Sequence, residues 1–244
     1  MFPYKDENPT LTTPVVTYAL IGLNVLAWVL LQGMGQSPIL EASVCRYGVI
    51  PGRLFGSIDP GQVIALGEEI ACRVGPLPAW ATVLSSMFMH GGWLHLIGNM
   101  WFLWIFGNNV EDSSGKVRFL AFYLLCGALA AAAQSFASPE SAIPMVGASG
   151  AISGVMGAYI VLYPRVRVHM LVFLGVFITR IAVPAFFMLG YWFLLQIASG
   201  MVTSDDTGGV AFLAHAGGFA AGMILIWAFR DSDLVARRRS YRLP

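Results

Sequence analysis

The stretch VGASGAISGVMGAYIVLYP, residues 146–164, contains no charged residue and is apolar over most of its length. A membrane-spanning helix needs about 20 mostly apolar residues, each adding about 1.5 Å, so this stretch predicts a short transmembrane helix over 148–164. Small residues recur through it, and Ser149 brings a hydroxyl group to its first turn. That serine can be a helix cap, a packing residue or a nucleophile, and the rest of the chain must decide among the three.

The composition of the chain is that of an integral membrane protein. Of its 244 residues 57% are hydrophobic and 11% are charged, and the mean hydropathy is +0.71. An average soluble domain carries about 25% charged residues. We predict a single all-α membrane domain over 1–244, in which residues 168–179 lie at the membrane interface because Arg180 and Pro184 interrupt the apolar run. Its six predicted transmembrane helices are about 15–34, 91–108, 119–137, 148–164, 181–200 and 209–229.

The distribution of Lys and Arg predicts the orientation, because cytoplasmic segments of membrane proteins are enriched in these residues. Residues 35–90 carry Gly, Pro and both charge signs, so we expect a long extramembrane loop with some structure of its own. With this loop outside, both termini and the basic tail over 230–244 are cytoplasmic, and the tail is explained by orientation without a nucleic-acid partner. The outer side then holds Arg46, Arg53 and Arg73, and the inner side holds Lys5, Lys116, Arg118, Arg165, Arg167, Arg180, Arg230, Arg237, Arg238, Arg239 and Arg242.

Polar side chains within the predicted spans are few, and burying them in hydrocarbon is costly unless they serve a function or an interhelical contact. Successive spans alternate in direction, which places four of these residues in one layer near the outer surface although they are far apart in sequence. The four are His95, Asn99, Ser149 and His215; Asn24 and Gln196 are further polar residues in spans one and five, and Ser153 in span four.

The chemistry of the outer layer suits nucleophilic acyl transfer. A serine hydroxyl becomes a competent nucleophile when a neutral imidazole within hydrogen-bond reach accepts its proton, and Ser149 and His215 fit these roles. The tetrahedral intermediate needs donors aimed at its oxyanion. His95 and Asn99, spaced i, i+4 on one helix face, fit that role together with the Ser149 backbone N–H at a helix N-terminus. No acidic residue lies at this depth, so we predict a Ser-His dyad.

Each of these residues also has a structural interpretation. Ser149 alone suits a cap or a packing position, and a lone intramembrane histidine is equally compatible with a hydrogen-bonded structural group. His90 and His95 are poor candidates for a metal site, because the i, i+5 spacing separates them by about 140° on a helix and no carboxylate lies nearby. We therefore predict no metal and no cofactor. Glycines at 150, 154 and 157 and at 218 and 222 predict close packing of spans four and six under either interpretation.

Two of the three cysteines, Cys45 and Cys72, fall in the predicted outer loop. Thiols there can be oxidised if the compartment is a bacterial periplasm or the cell exterior. A disulfide between them closes a loop of about 28 residues and is worth roughly 3–4 kcal/mol by the chain-entropy estimate. Two free thiols, or a metal pair without an evident third ligand, are the alternatives. Cys126 lies among apolar residues of the third span and is interpreted as a small buried hydrophobe.

Four motifs in register on these spans resemble those of rhomboid intramembrane serine proteases. The resemblance runs from about residue 80 to 229, and the motifs are HGGWLHLIGNM, FGNNVEDSSGKVRFLAFY, GASGAISGVMGAY and LAHAGGFAAG. By this resemblance Ser149 is the nucleophile and His215 the general base. The oxyanion hole is implied to consist of His95, Asn99 and the Ser149 amide, with His90 and Gly147 supporting it.

The resemblance has three further implications. Glu111 falls in a structural loop after the second span, and span five is similar to the mobile element beside which substrate helices enter. Ser153 stands where many members carry an aromatic ring that packs on the catalytic histidine, so something else must orient His215.

The function implied is hydrolysis of peptide bonds in or near a transmembrane helix, through an acyl-enzyme and without metal or ATP. The expected partners are transmembrane protein substrates and the lipid bilayer, and the expected location is the bacterial inner (cell) membrane with the site open to the outer side. Oligomeric state leaves no signal in the sequence. A rhomboid-like pseudoenzyme that binds membrane clients is the alternative, but it is expected to lack the serine or the histidine. A small transporter predicts midplane ionisable residues or paired interrupted helices, which are not found.

Overall fold

Helices account for most of the chain in the computed structural model, which describes residues 2–66, 70–174, 177–202 and 211–240. In chain order they are α1 (Val15–Leu30), α2 (Ile39–Tyr47), α3 (Pro51–Leu54), α4 (Ala79–Ser85), α5 (Trp93–Ser114), α6 (Lys116–Ala137), α7 (Ser149–Leu162), α8 (Ala185–Val202), α9 (Phe212–Phe229) and α10 (Ser232–Ser240).

A helix lies at each of the six predicted spans, namely α1 and α5 to α9. Among the described residues, α6, α8 and α9 are long and apolar enough to cross a membrane, and α1 and α7 are shorter apolar helices. The first predicted span extends too far, because α1 ends at Leu30. Residues 209–210 of the sixth predicted span and 241–244 of the predicted tail, including Arg242, lie outside the described residues.

Two small antiparallel sheets correct the all-α prediction. The first has the order β1-β4-β5, formed by Phe2–Asp6, Arg167–Leu174 and Phe177–Pro184, and the second pairs β2 (Val63–Leu66) with β3 (Ile70–Arg73). Residues 181–184, predicted as the start of span five, belong to β5, and α8 begins at Ala185. The run is rich in β-branched residues, which favour strands, and Pro184 at its end cannot donate a further ladder hydrogen bond.

Glycines allow α7 and α9 to pack backbone against backbone. A methyl group added to Gly222 would lie 1.9 Å from the Gly154 carbonyl oxygen, and one added to Gly157 would lie 2.1 Å from that of Phe219. A methyl group added to Gly218 would likewise lie 2.2 Å from the Gly150 carbonyl oxygen. The predicted small-residue packing of these two helices is thus confirmed. The contact holds the first turn of α7 beside the first turns of α9.

The long loop between α1 and α5 has a small apolar cluster of its own and is joined to the segment before α7. Ile50, Ile58 and Val74 are buried together, and Val49 forms an isolated bridge to Met145, just before α7. Cys45 of α2 and Cys72 of β3 are joined by a disulfide, with 5.5 Å between their Cα atoms. The loop is therefore fixed to the segment that leads into α7.

A thiol count tests the disulfide. In protein prepared without reductant and then denatured, we expect one reactive thiol per chain, because only Cys126 is free. Removing the bridge by the double substitution Cys45→Ser and Cys72→Ser should lower the free energy of unfolding by roughly 3–4 kcal/mol. A Cys126→Ala control should reduce the thiol count to zero. A count of three in the unsubstituted protein would show that the disulfide does not form.

A buried polar cluster lies at the opposite end of the bundle from Ser149. Glu111 accepts hydrogen bonds from the backbone N–H groups of Val16 and Thr17, at 3.0 and 2.8 Å, and so caps α1. Asp112 forms an ion pair with Arg238 of α10 and accepts the N–H of Leu11 at 2.6 Å.

The position of Glu111 corrects the expectation that it lies in a loop after the second span. α5 extends to Ser114 and places both carboxylates in its last turns. The apolar run ends earlier, but the helix continues through these charged residues. Their carboxylates accept hydrogen bonds from N–H groups of the N-terminal segment and α1, and Asp112 pairs with Arg238 of α10.

Candidate active site

Ser149 and His215 meet at the N-terminal ends of α7 and α9. The Ser149 Oγ lies 2.8 Å from His215 Nε2, although the two residues are 66 positions apart in sequence. His215 Nδ1 lies 2.8 Å from the Oε1 of Gln196 on α8. An amide oxygen only accepts hydrogen bonds, so Nδ1 carries the hydrogen of the neutral ring and Nε2 is left to accept the serine proton.

His95 stands on the other side of Ser149. The Gly91 N–H donates to His95 Nδ1 at 3.2 Å, so in the neutral ring the hydrogen resides on Nε2. Gly147 separates that nitrogen from the serine: a methyl group added to it would lie 2.7 Å from His95 Nε2 and 3.4 Å from Ser149 Oγ. Gly147 also has φ +127°, which favours glycine. A side chain there would displace His95, which explains why this position is glycine.

Two further donors surround the serine. Asn99 is buried and donates through Nδ2 to the His95 carbonyl oxygen at 3.0 Å, which leaves the second hydrogen of its amide available. Ser149 is the first residue of α7, so its backbone N–H is among those that have no acceptor within the helix. The three donors and the dyad share one cavity.

His90 packs edge-on against the ring of His95, with 5.1 Å between ring centroids. It is fully buried, and burial together with the neighbouring His95 lowers the pKa of His90 to about 3, so the ring is neutral at physiological pH. Gln32 holds its backbone on both sides, accepting the His90 N–H at 2.8 Å and donating to the His90 carbonyl at 2.8 Å. Gln32 is a polar residue near the end of the predicted first span, but sequence reasoning did not single it out.

The cavity lined by Ser149, His215, His95 and Asn99 has a volume of about 940 Å³, and Met156 and Trp192 also line it. Among the described residues, no group of three or more His, Cys, Asp or Glu side chains is arranged to hold a metal ion. A cavity of this size is large enough for a segment of polypeptide. The cavity wall thus carries a hydroxyl group, an imidazole that can accept its proton, and several N–H donors. These are the groups that acyl transfer requires.

The sequence profile of the Rhomboid domain matches residues 78–232, a range that includes the dyad and the predicted oxyanion donors. The chain belongs to the rhomboid family. It is 33% identical to the rhomboid protease GluP of Bacillus subtilis (strain 168), over 87% of this chain and 35% of GluP. It is 30% identical to the mitochondrial rhomboid protein 1 of Saccharomyces cerevisiae, over 93% of this chain and 56% of that protein. These relatives are longer, and the chain spans about a third to about half of their length.

A third relative is closer in size. The rhomboid protease GlpG of Haemophilus influenzae is 26% identical over 62% of this chain and 69% of its own length.

This rhomboid orients its histidine without an aromatic ring four residues after the serine. Ser153 is buried and donates its hydroxyl to the Ser149 carbonyl oxygen at 2.6 Å, within its own helix. Aromatic packing comes instead from Trp192 of α8, whose ring centroid lies 5.9 Å from that of His215. Sequence reasoning registered Gln196 as an intramembrane polar residue but gave it no role. Its spacing of one helical turn from Trp192 was the available signal.

Proposed function

We propose that this rhomboid is an intramembrane serine endopeptidase that cleaves transmembrane segments of membrane proteins. The observation that carries the proposal is the contact of 2.8 Å between Ser149 Oγ and His215 Nε2 at the wall of a peptide-sized cavity. Membership of a family whose relatives include named proteases supports it. The structure retains both the serine and the histidine, which a client-binding pseudoenzyme has no need to keep in hydrogen-bond contact.

The proposed reaction begins when His215 Nε2 accepts the hydroxyl proton of Ser149 as Oγ attacks a substrate carbonyl carbon. The oxyanion that forms is bound by the Ser149 N–H, the His95 Nε2–H and the free amide hydrogen of Asn99. His215 then donates its proton to the leaving amine, which breaks the peptide bond and leaves an acyl ester on Ser149. Water, activated by the same histidine, hydrolyses the ester and regenerates the hydroxyl.

The substrate must present an exposed carbonyl. An intact helix holds its carbonyl groups in hydrogen bonds, so segments that unwind easily, with Gly, Ala, Ser or Pro, are the proposed targets. In the orientation given by the basic residues, the dyad lies near the outer surface, where water reaches it. We place the protein in the bacterial inner membrane, with cytoplasmic termini and transmembrane substrates as its partners.

Cleavage of a defined substrate tests the proposal. The purified protein, reconstituted in liposomes with a single-span substrate that carries Gly-Ala pairs near its outer end, should release two fragments. Mass spectrometry should place the new termini in or beside the transmembrane segment. A matched substrate with those residues changed to Leu should be cleaved more slowly. Stable, uncut complexes with the first substrate would instead support a client-binding pseudoenzyme.

The oxyanion donors give a graded prediction. Replacing Asn99 by Ala should lower kcat by about 10²–10³-fold, because one lost donor costs about 2.7–4 kcal/mol of transition-state stabilisation. His95→Ala should have an effect of the same order. Initial cleavage rates at saturating substrate measure both effects. Ile97→Ala, at an exposed position of α5 outside the cavity lining, is the control that should leave the rate near that of the unsubstituted protein. An unchanged rate for Asn99→Ala would remove this residue from the mechanism.

A further inference from the structure

The orientation of the His215 ring is the question that Ser153 leaves open. Of the described residues, the two whose side chains hydrogen-bond to that ring are Ser149 and Gln196. We propose that Gln196 of α8 is the positioning residue of the dyad, and that it takes the place that an aspartate occupies in a catalytic triad. The inference rests on the proposed protease function and names a residue on a third helix as part of the same machinery.

The contact has the chemistry that this role requires. Gln196 Oε1 lies 2.8 Å from Nδ1 and accepts its hydrogen. Without an acceptor there, the hydrogen can move to Nε2, where the ring no longer accepts the proton of Ser149. An amide whose oxygen faces Nδ1, as it does here, fixes the tautomer and the ring plane as a carboxylate does, but it adds no negative charge. In a triad, an aspartate replaced by asparagine lowers kcat about 10⁴-fold through the wrong tautomer, which shows how strongly the tautomer matters.

Packing directs Gln196 towards the histidine. Trp192 lies one turn earlier on α8 with its ring beside His215, and Phe193 stacks on Phe219 of α9 with 4.6 Å between centroids. These contacts set the rotation of α8, so that the face carrying residues 192 and 196 points at α9. The buried residues of α8 are Ala185, Met188 and Leu189, all in its first turns. The outer half of the helix, which carries Gln196, contacts α9 through Trp192, Phe193 and Gln196, and Gly200 lies against the first residues of α9.

The dyad is consequently complete only while α8 rests on α9. A displacement of the outer half of α8 separates Gln196 Oε1 from His215 Nδ1. The ring hydrogen is then no longer held on Nδ1, although Ser149 and His215 stay on α7 and α9. α8 thus contributes a hydrogen-bond acceptor to catalysis in addition to its apolar face.

Substitutions that keep or remove the acceptor oxygen test this role. Gln196→Met keeps the length of the side chain and removes the acceptor, and we expect kcat to fall about 10²-fold with KM changed less than about threefold, a loss smaller than the one a triad suffers from a wrong tautomer. Gln196→Glu should restore kcat to within about tenfold, because a carboxyl group offers an acceptor oxygen in either protonation state. Ile224→Met, at a 71% exposed position on α9, is the control for the methionine substitution.

A second readout separates positioning from substrate entry. The rate at which a fluorophosphonate labels Ser149 needs an activated serine but no transmembrane substrate, so Gln196→Met should slow labelling by a factor similar to its effect on kcat. Full labelling and an unchanged kcat in Gln196→Met, with an active unsubstituted protein, would overturn the role of Gln196 alone. An inactive and unlabelled unsubstituted protein would overturn the proposed function itself.

Discussion

Replacing His215 by alanine should lower the cleavage rate of a transmembrane substrate by about 10⁴-fold or more, because no other described side chain contacts Ser149 Oγ as a base. Ser149→Ala should produce a loss of the same size, since the acyl-enzyme then cannot form. The fold should survive both changes, because each side chain lies at the cavity wall and not within the packed contact of α7 and α9. Rates of fragment release, measured at saturating substrate, give the comparison.

The double variant supplies the control for this prediction. Two residues that act as one unit are not additive, so Ser149→Ala combined with His215→Ala should be no slower than either single variant. Unchanged thermal unfolding in detergent would show that the losses are catalytic. Appreciable turnover by Ser149→Ala would contradict the assignment of the nucleophile.

The largest effect on stability is expected at the buried ion pair of Asp112 and Arg238, whose side chains are 1% and 4% exposed. Asp112→Ala leaves the guanidinium group buried without its counter-charge and removes the acceptor of the Leu11 N–H. Breaking one side of a buried pair costs about 3–5 kcal/mol, so we expect a loss of that size in the free energy of unfolding. Reversible denaturation in mixed micelles measures it.

A surface ion pair provides the matched control. Arg118 and Asp231 are 3.4 Å apart, with side chains 55% and 32% exposed. Because solvent screens such a pair, Arg118→Ala should cost less than about 1 kcal/mol. Equal losses in the two variants would mean that the Asp112–Arg238 contact does not anchor α10 to α5.

The helical spans were predictable because each is a long, continuous apolar segment of the sequence. Residues 167–184 were not, because an apolar run of that length suits a strand pair as well as part of a span. Its conformation is decided by a partner far away in the chain: β4 pairs with β1, in which Phe2 stands opposite Leu171. The same holds for Asp112 and Arg238, which are 126 residues apart and meet only when α10 folds back onto α5.

The proximity of Ser149 and His215 could be predicted from their depth in the membrane alone, because spans of alternating direction bring the first turns of α7 and α9 to one layer. Depth does not determine the rotation of a helix about its axis. Gln196 was visible as a polar residue, but its contact with His215 depends on how Trp192 and Phe193 seat α8 against α9. Gln32 lies beyond the end of α1 at Leu30, and its contacts are with the backbone of His90, 58 residues away in the chain, which the sequence pattern does not show.

The most direct test of the central claim is to label the purified protein with a fluorophosphonate and map the modified residue by mass spectrometry. The reagent reacts with a serine only when a base has activated its hydroxyl. We predict that Ser149 is the labelled residue and that His215→Ala abolishes its labelling. Modification of a different serine, or labelling of Ser149 at an undiminished rate in His215→Ala, would contradict it.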